Sequence, residues 1–107
     1  MSQPAAALVW CPFPDRDSAR DAARQLLDEK LIACANLIPN VESVFLWEGE
    51  VNSGEEVAVL FKTVASCCDQ LVSRLGDLHP YDTPAIVGWN CDFAHPETRN
   101  WLERMIG

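Results

Sequence analysis

Few side chains in this sequence can do chemistry, and the richest group is the stretch "HPYDTPAI" at 79–86. His79, Tyr81 and Asp82 fall within four positions there, between Pro80 and Pro84. Prolines on both sides would hold an imidazole, a phenol and a carboxylate in a fixed relation, as a preorganised site requires. The same features also describe a stiff corner, since a histidine at a helix end complements the helix dipole and Pro80 forbids continuation. Both readings stand on the residues alone. The remaining soft donors are Cys11, Cys34, Cys67, Cys68 and Cys91, with His95 in "AHPE" flanking a helix start. Cys34 lies on a strand in "ACAN", where a free cysteine is more often a small core hydrophobe than a ligand. Cys67 and Cys68 diverge by about 100° on a helix and do not grip one ion together. Of these two, Cys67 is expected to be the more exposed.

Several chemistries are excluded by what surrounds these groups. A metallochaperone Cys-x-x-Cys after the first strand is absent, because "CPFPD" offers Cys11 alone. Spacings for a zinc site or a Cys–His or Ser–His nucleophile do not occur. Arg16 has no glycine beside it to build a phosphate cradle. An RNA-binding sheet would need paired aromatics and a basic face, whereas the formal charge is −8. That charge also disfavours nucleic acid generally. The expectation is therefore a non-enzymatic protein.

The elements that must position these residues are legible from periodicity. "AAALVWC" at 5–11 reads as a buried strand ended by "PFP". Asp15 caps a helix running to about Glu29, with Ala19, Ala22, Ala23, Leu26 and Leu27 on its apolar stripe. "LIACANLI" at 31–38 and "VESVFLW" at 41–47 form one long strand with a bulge or bend at Pro39-Asn40. "EGE" at 48–50 is a tight turn at Gly49. "EVAVLFKT" at 56–63 returns, with a second irregularity at "NSGE". Ser66 and Asp69 resemble a capping box, followed by Cys68, Leu71, Val72, Leu75 and Leu78 as one face of a second helix. "PAIVGWNC" at 84–91 is a last main strand. Pro96 opens a third helix, with Thr98, Trp101, Leu102, Met105 and Ile106 inward.

This order, β-α-β-β-α-β-α, predicts an α+β ferredoxin-like βαββαβ sandwich with an extra C-terminal helix and a long central hairpin, in a single domain over 1–107. At 107 residues with 49% hydrophobic side chains and four tryptophans, some apolar surface is expected to be covered by another subunit. The long hairpin edges also call for a covering partner. An odd cysteine count and the lack of an export signal or membrane span point to a cytoplasmic protein with reduced thiols.

"ACANLIPNVESVFLWEGE", "EVAVLFKT" and "HPYDTPAI", in this order and spacing, resemble the CutA family of divalent-cation tolerance proteins. The resemblance runs from "CPFPD" to "WLERM". It implies a PII-like homotrimer with a ferredoxin-like core, associated with binding copper and other divalent ions. Cys34 matches the cysteine of the family's Ala-Cys-x-Asn segment. Trp47 and Gly49 match its Trp-x-Gly turn, Glu56, Lys62 and Thr63 its Glu…Lys-Thr strand, and His79, Pro80 and Tyr81 its His-Pro-Tyr. Three positions depart from the pattern: Ala35 for a larger aliphatic, Phe45 for tyrosine, and Ala85 for the glutamate common after Pro84. On this basis His79 and Cys34 are the expected metal ligands, since imidazole and thiolate suit copper and zinc. Trp47, Glu56, Lys62, Tyr81 and Asp82 are expected to shape a ligand cleft. The alternative is a PII-like sensor in which Lys62 and the backbone near "HPYD" hold a small anion in an intersubunit cleft.

Overall fold

The computed structural model describes residues 5–106. In chain order it comprises β1 (Ala6–Phe13), α1 (Arg16–Asp28), β2 (Cys34–Trp47), β3 (Glu50–Val64), α2 (Cys68–Leu78), β4 (Val87–Asn90) and α3 (Pro96–Met105). The strands make one antiparallel sheet in the order β2-β3-β1-β4. With α1 and α2 packed on one face, this is the ferredoxin-like arrangement the element order implies.

Strand alternation sorts the side chains between the two faces. Val9, Cys11 and Phe13 of β1 and Val59 and Phe61 of β3 are fully buried against Ala19, Leu26, Leu71 and Leu75 of the helices. The alanines of α1 let its backbone lie close to the sheet, while Leu27, expected inward, is 42% exposed. Asp15 caps α1 by accepting from the Ser18 amide at 2.7 Å. Arg74 of α2 then ties the two helices together with a two-pronged pair to Glu29, both distances 2.8 Å.

Three local expectations fail. β1 does not stop at "PFP" but runs to Phe13. Pro12 is tolerated because β4 pairs with β1 only from Ala7 to Trp10, so no neighbouring strand needs its missing N–H on that side. Ser66 makes no cap: a 3-10 turn over Ala65–Cys67 leads into α2, and neither turn nor helix has a side-chain cap bond. In α3, Leu102 and Ile106 are buried and Trp101 half-buried, but Met105 and Thr98 face outward.

The long strand bends where the proline sits. Register slips between Ile38 and Val41, and Asn40 takes up the extra residue at φ 59°. "NSGE" keeps an unbroken register instead, Ser43 opposite Gly54 and Val44 opposite Ser53. The turn places Glu48 at φ 48° and Gly49 at φ 81°, two successive left-handed residues that match strand twist. β1 pairs with β3 only from Val57 onward, so Glu50–Glu56 is flanked by β2 alone. The hairpin therefore projects as an arm, and the molecule measures 48 × 26 × 22 Å.

The second sheet face is covered only at one end. There Leu102 and Ile106 of α3 pack on Ala6 and Val64, with Cys67 and Cys91 half-buried beside them. Cys67 is thus tucked beneath α3 rather than being a freely exposed thiol. Further along, Val87 and Trp89 of β4 remain 59% and 49% exposed.

Candidate functional site

His79 ends α2, and the corner holds it on every side. Its Nε2 lies 2.7 Å from the Pro12 carbonyl, and its Nδ1 accepts from the Tyr81 amide at 3.1 Å. These partners fix the Nε2–H tautomer, so neither nitrogen presents a lone pair to solvent. The ring stacks on Phe13 at 4.4 Å between centroids and leaves only 7% of the residue exposed. The Pro12 carbonyl lies beyond the last β1–β4 pair, where no strand partner meets it. Proline's missing N–H and the histidine's donor thus settle one another.

Cys34 stands elsewhere. It opens β2 opposite Lys62, which in turn faces Leu8. Ala35 and Leu37 pack toward the helices, so alternation puts Cys34 and Lys62 on the other sheet face. Pro12, whose carbonyl meets His79, aligns through Ala58 with Ile38, four residues along β2. At roughly 3.3 Å per residue that is ~13 Å of strand. The structure does not bring His79 and Cys34 together. The Cys34 thiol is half-buried and points to the Asn36 side-chain oxygen at 3.6 Å.

Four of the five residues expected to shape a ligand cleft lie around one cavity. Between the hairpin arm and the 81–85 loop lies a cleft of about 720 Å³. Trp47, Glu56, Tyr81 and Asp82 line it, as do Phe45 and Glu55; Lys62 does not. Ser43, Phe45 and Trp47 are alternate residues of β2 and reach it from one face. The Tyr81 hydroxyl donates to Glu56 Oε2 at 3.1 Å, joining loop and arm. Burial and this carboxylate raise the tyrosine pKa above its ordinary value. Ala85 forms part of the wall. Ser43 and Phe45 could have been found by counting alternate residues back from Trp47.

Other titratable groups are structural. Cys11 is buried, and desolvation, with Glu56 nearby, pushes its thiol up to about 12. Arg74, and then Gln25, hydrogen-bond Glu29 and lower its carboxyl to about 2. His95 caps α3, its Nδ1 accepting from the Glu97 amide at 3.1 Å. Among the described residues, no three His, Cys, Asp or Glu side chains converge as an ion site. The described residues of one chain therefore do not by themselves supply a closed coordination shell.

Sheet order, hairpin arm and cleft define a ferredoxin-like α+β protein whose soft donors are dispersed rather than gathered. Residues 7–105 match the family described as CutA1 divalent ion tolerance protein, and the chain belongs to that family. It is 40% identical to the divalent-cation tolerance protein CutA of Thermococcus kodakarensis over 94% of this chain and 96% of the relative. The divalent ion tolerance protein CutA1 from Ehrlichia chaffeensis superposes with a TM-score of 0.91 at 32% identity, covering 97% of each chain. A protein from Archaeoglobus fulgidus, described as a periplasmic divalent cation tolerance protein, gives 0.91 at 26% identity over 95% of this chain and 99% of its own. Among the described residues no helix is long and apolar enough to cross a membrane.

Proposed function

We propose that this protein serves divalent-cation tolerance by binding copper-type ions as a cytoplasmic, non-enzymatic homotrimer, PII-like in assembly, with the whole chain as one domain. The ion is cargo, held between copies of the chain. The observation that carries this reading is the position of Cys34: a free, half-buried thiol on the sheet face that the chain's own helices cover only at one end. A second copy on that face would exclude water and add the donors one chain lacks, and thiolate selects copper and zinc over harder ions. His79 is the second candidate ligand, but coordination would require it to surrender its bond to Pro12 or Tyr81. Cys34 would surrender only a long contact to Asn36. The sensor alternative, with Lys62 holding an anion, has no support from the cleft, whose lining includes no basic side chain.

The test is an anaerobic copper and zinc titration against a competing chelator, on wild type, Cys34→Ser and His79→Ala. Binding tighter than about micromolar, at fixed stoichiometry per trimer and lost in Cys34→Ser, is expected. Weak binding that is equal in all three proteins would leave only the acidic surface collecting cations.

A further inference from the structure

Arg99 is a cation that meets no anion among the described residues. It lies on α3 three residues before Leu102 and seven before Ile106, so helical spacing sets it on the stripe that packs against the sheet. The residue is half-buried, and its Nε is shielded from solvent with no hydrogen-bond partner among the described residues. The ion pairs that do form there belong to Arg74. A guanidinium keeps its proton at any ordinary pH and can only donate. A shielded N–H of this kind therefore calls for an acceptor from outside the chain.

The hairpin arm has the complementary excess. Residues 41–56 carry five glutamates and no lysine, arginine or histidine, and Val44, Leu46 and Val51 are exposed among them. The arm cannot serve its own Arg99. β3 is 15 residues long, with Glu50 at the tip and Val64 beneath α3, so ~46 Å of strand at roughly 3.3 Å per residue separates them. A head-to-tail contact, in which the arm of one copy reaches the α3 of the next, supplies the acceptor. It also covers the arm's apolar side chains, and such contacts close into a ring when the rotation permits. A free anion would do only the first, and the field of a chain at −8 repels it.

We propose that Arg99 is the anchor for the hairpin arm of a second copy, whose tip carboxylates, Glu48 and Glu50, accept from its guanidinium. These two flank the turn farthest from the arm's own sheet, whereas Glu56 is already engaged by Tyr81. The guanidinium fork matches a carboxylate in shape as well as charge. A docking that left Arg99 unmatched would keep a shielded charge unpaired, so the contact selects which surfaces meet. This rests on the homotrimer reading and deepens it by naming the residues that set the arrangement.

The experiment follows subunit exchange between unlabelled and isotope-labelled pools by native mass spectrometry. It compares wild type, Arg99→Met, the double variant Glu48→Gln/Glu50→Gln, the combination of all three, and Arg20→Met. Methionine keeps a flexible apolar stem in place of the arginine's, and circular dichroism of each variant confirms that the fold is retained. Exchange is expected to be about tenfold faster in Arg99→Met and in the glutamate variant. The combination is expected to be no faster than either, the signature of one shared contact. Arg20→Met removes an exposed cation from α1 and is expected to exchange as wild type does. A trimeric wild type whose exchange is unaltered in Arg99→Met, or equally altered in Arg20→Met, would overturn the anchor and leave the homotrimer standing. Effects of Arg99→Met and the glutamate variant that simply add, or a silent glutamate variant, would overturn the pairing with the arm. A wild type that is monomeric throughout would overturn the homotrimer reading and the anchor with it.

Discussion

At the scale of single residues, the decisive fact is how completely His79 is used by its own corner. It donates to Pro12, accepts from Tyr81 and stacks on Phe13. His79→Ala leaves a buried carbonyl and an amide without partners and opens a cavity. It should lower stability by roughly 2–4 kcal/mol, read as a fall in the urea midpoint. An unchanged midpoint would mean that the corner does not depend on the ring. The sequence held both readings of "HPYD" open because spacing gives neighbours along the chain, while Pro12 lies 67 residues away. Glu29 is a second case of a partner invisible in sequence. Arg74 holds its carboxyl at about 2 against an ordinary 4.5. A lowered folded pKa stabilises above the unfolded value, and that stabilisation is lost as pH falls from about 4.5 toward 2. Urea midpoints between pH 5 and pH 2.5 should therefore fall less in Glu29→Gln than in wild type. Parallel pH profiles would contradict the pairing.

At the scale of elements, turns and alternation were readable and edges were not. The two left-handed residues Glu48 and Gly49, and the slip at Pro39-Asn40, sit where residue chemistry demanded them. The length of β4 did not follow from its sequence: "PAIVGWNC" suggests eight residues and the ladder uses four, Val87–Asn90. Pro84 lacks an amide donor, and β1 offers pairing only through Trp10. Within that short ladder Gly88 has a steric role. A Cβ there would lie 2.8 Å from both the Leu8 carbonyl oxygen and Val9 Cγ2, below any ordinary contact. Gly88→Ala should push β4 from β1 and destabilise by roughly 1–3 kcal/mol, with hydrogen exchange accelerating first in β4. Protection equal to wild type in Val87–Asn90 would show that the strands separate without cost. Four of the five expected cleft residues line one cavity because they flank the same turn and loop. Lys62 falls outside the cleft because it lies six residues beyond Glu56 along β3, although alternation puts both on one sheet face.

At the scale of the whole molecule, the uncovered sheet face and the arm are the features one chain leaves unfinished. Trp89 and Val87 expose apolar surface beside the end that α3 already covers. The proposed homotrimer should sediment at three times 11.9 kDa, and Trp89→Asp should shift it toward monomer, since a buried unpaired carboxylate costs several kcal/mol. A wild-type protein that sediments as a monomer would remove the interface on which the ion reading depends. Composition hinted at such a partner through four tryptophans, and the sheet order shows which face the chain leaves open. The most direct measurement is copper K-edge X-ray absorption on protein loaded with one ion per trimer, in wild type and Cys34→Ser. Sulfur neighbours around copper in wild type, absent in Cys34→Ser, are the predicted result. A shell of nitrogen and oxygen alone, unchanged by the substitution, would contradict a thiolate-held ion and with it the proposed function.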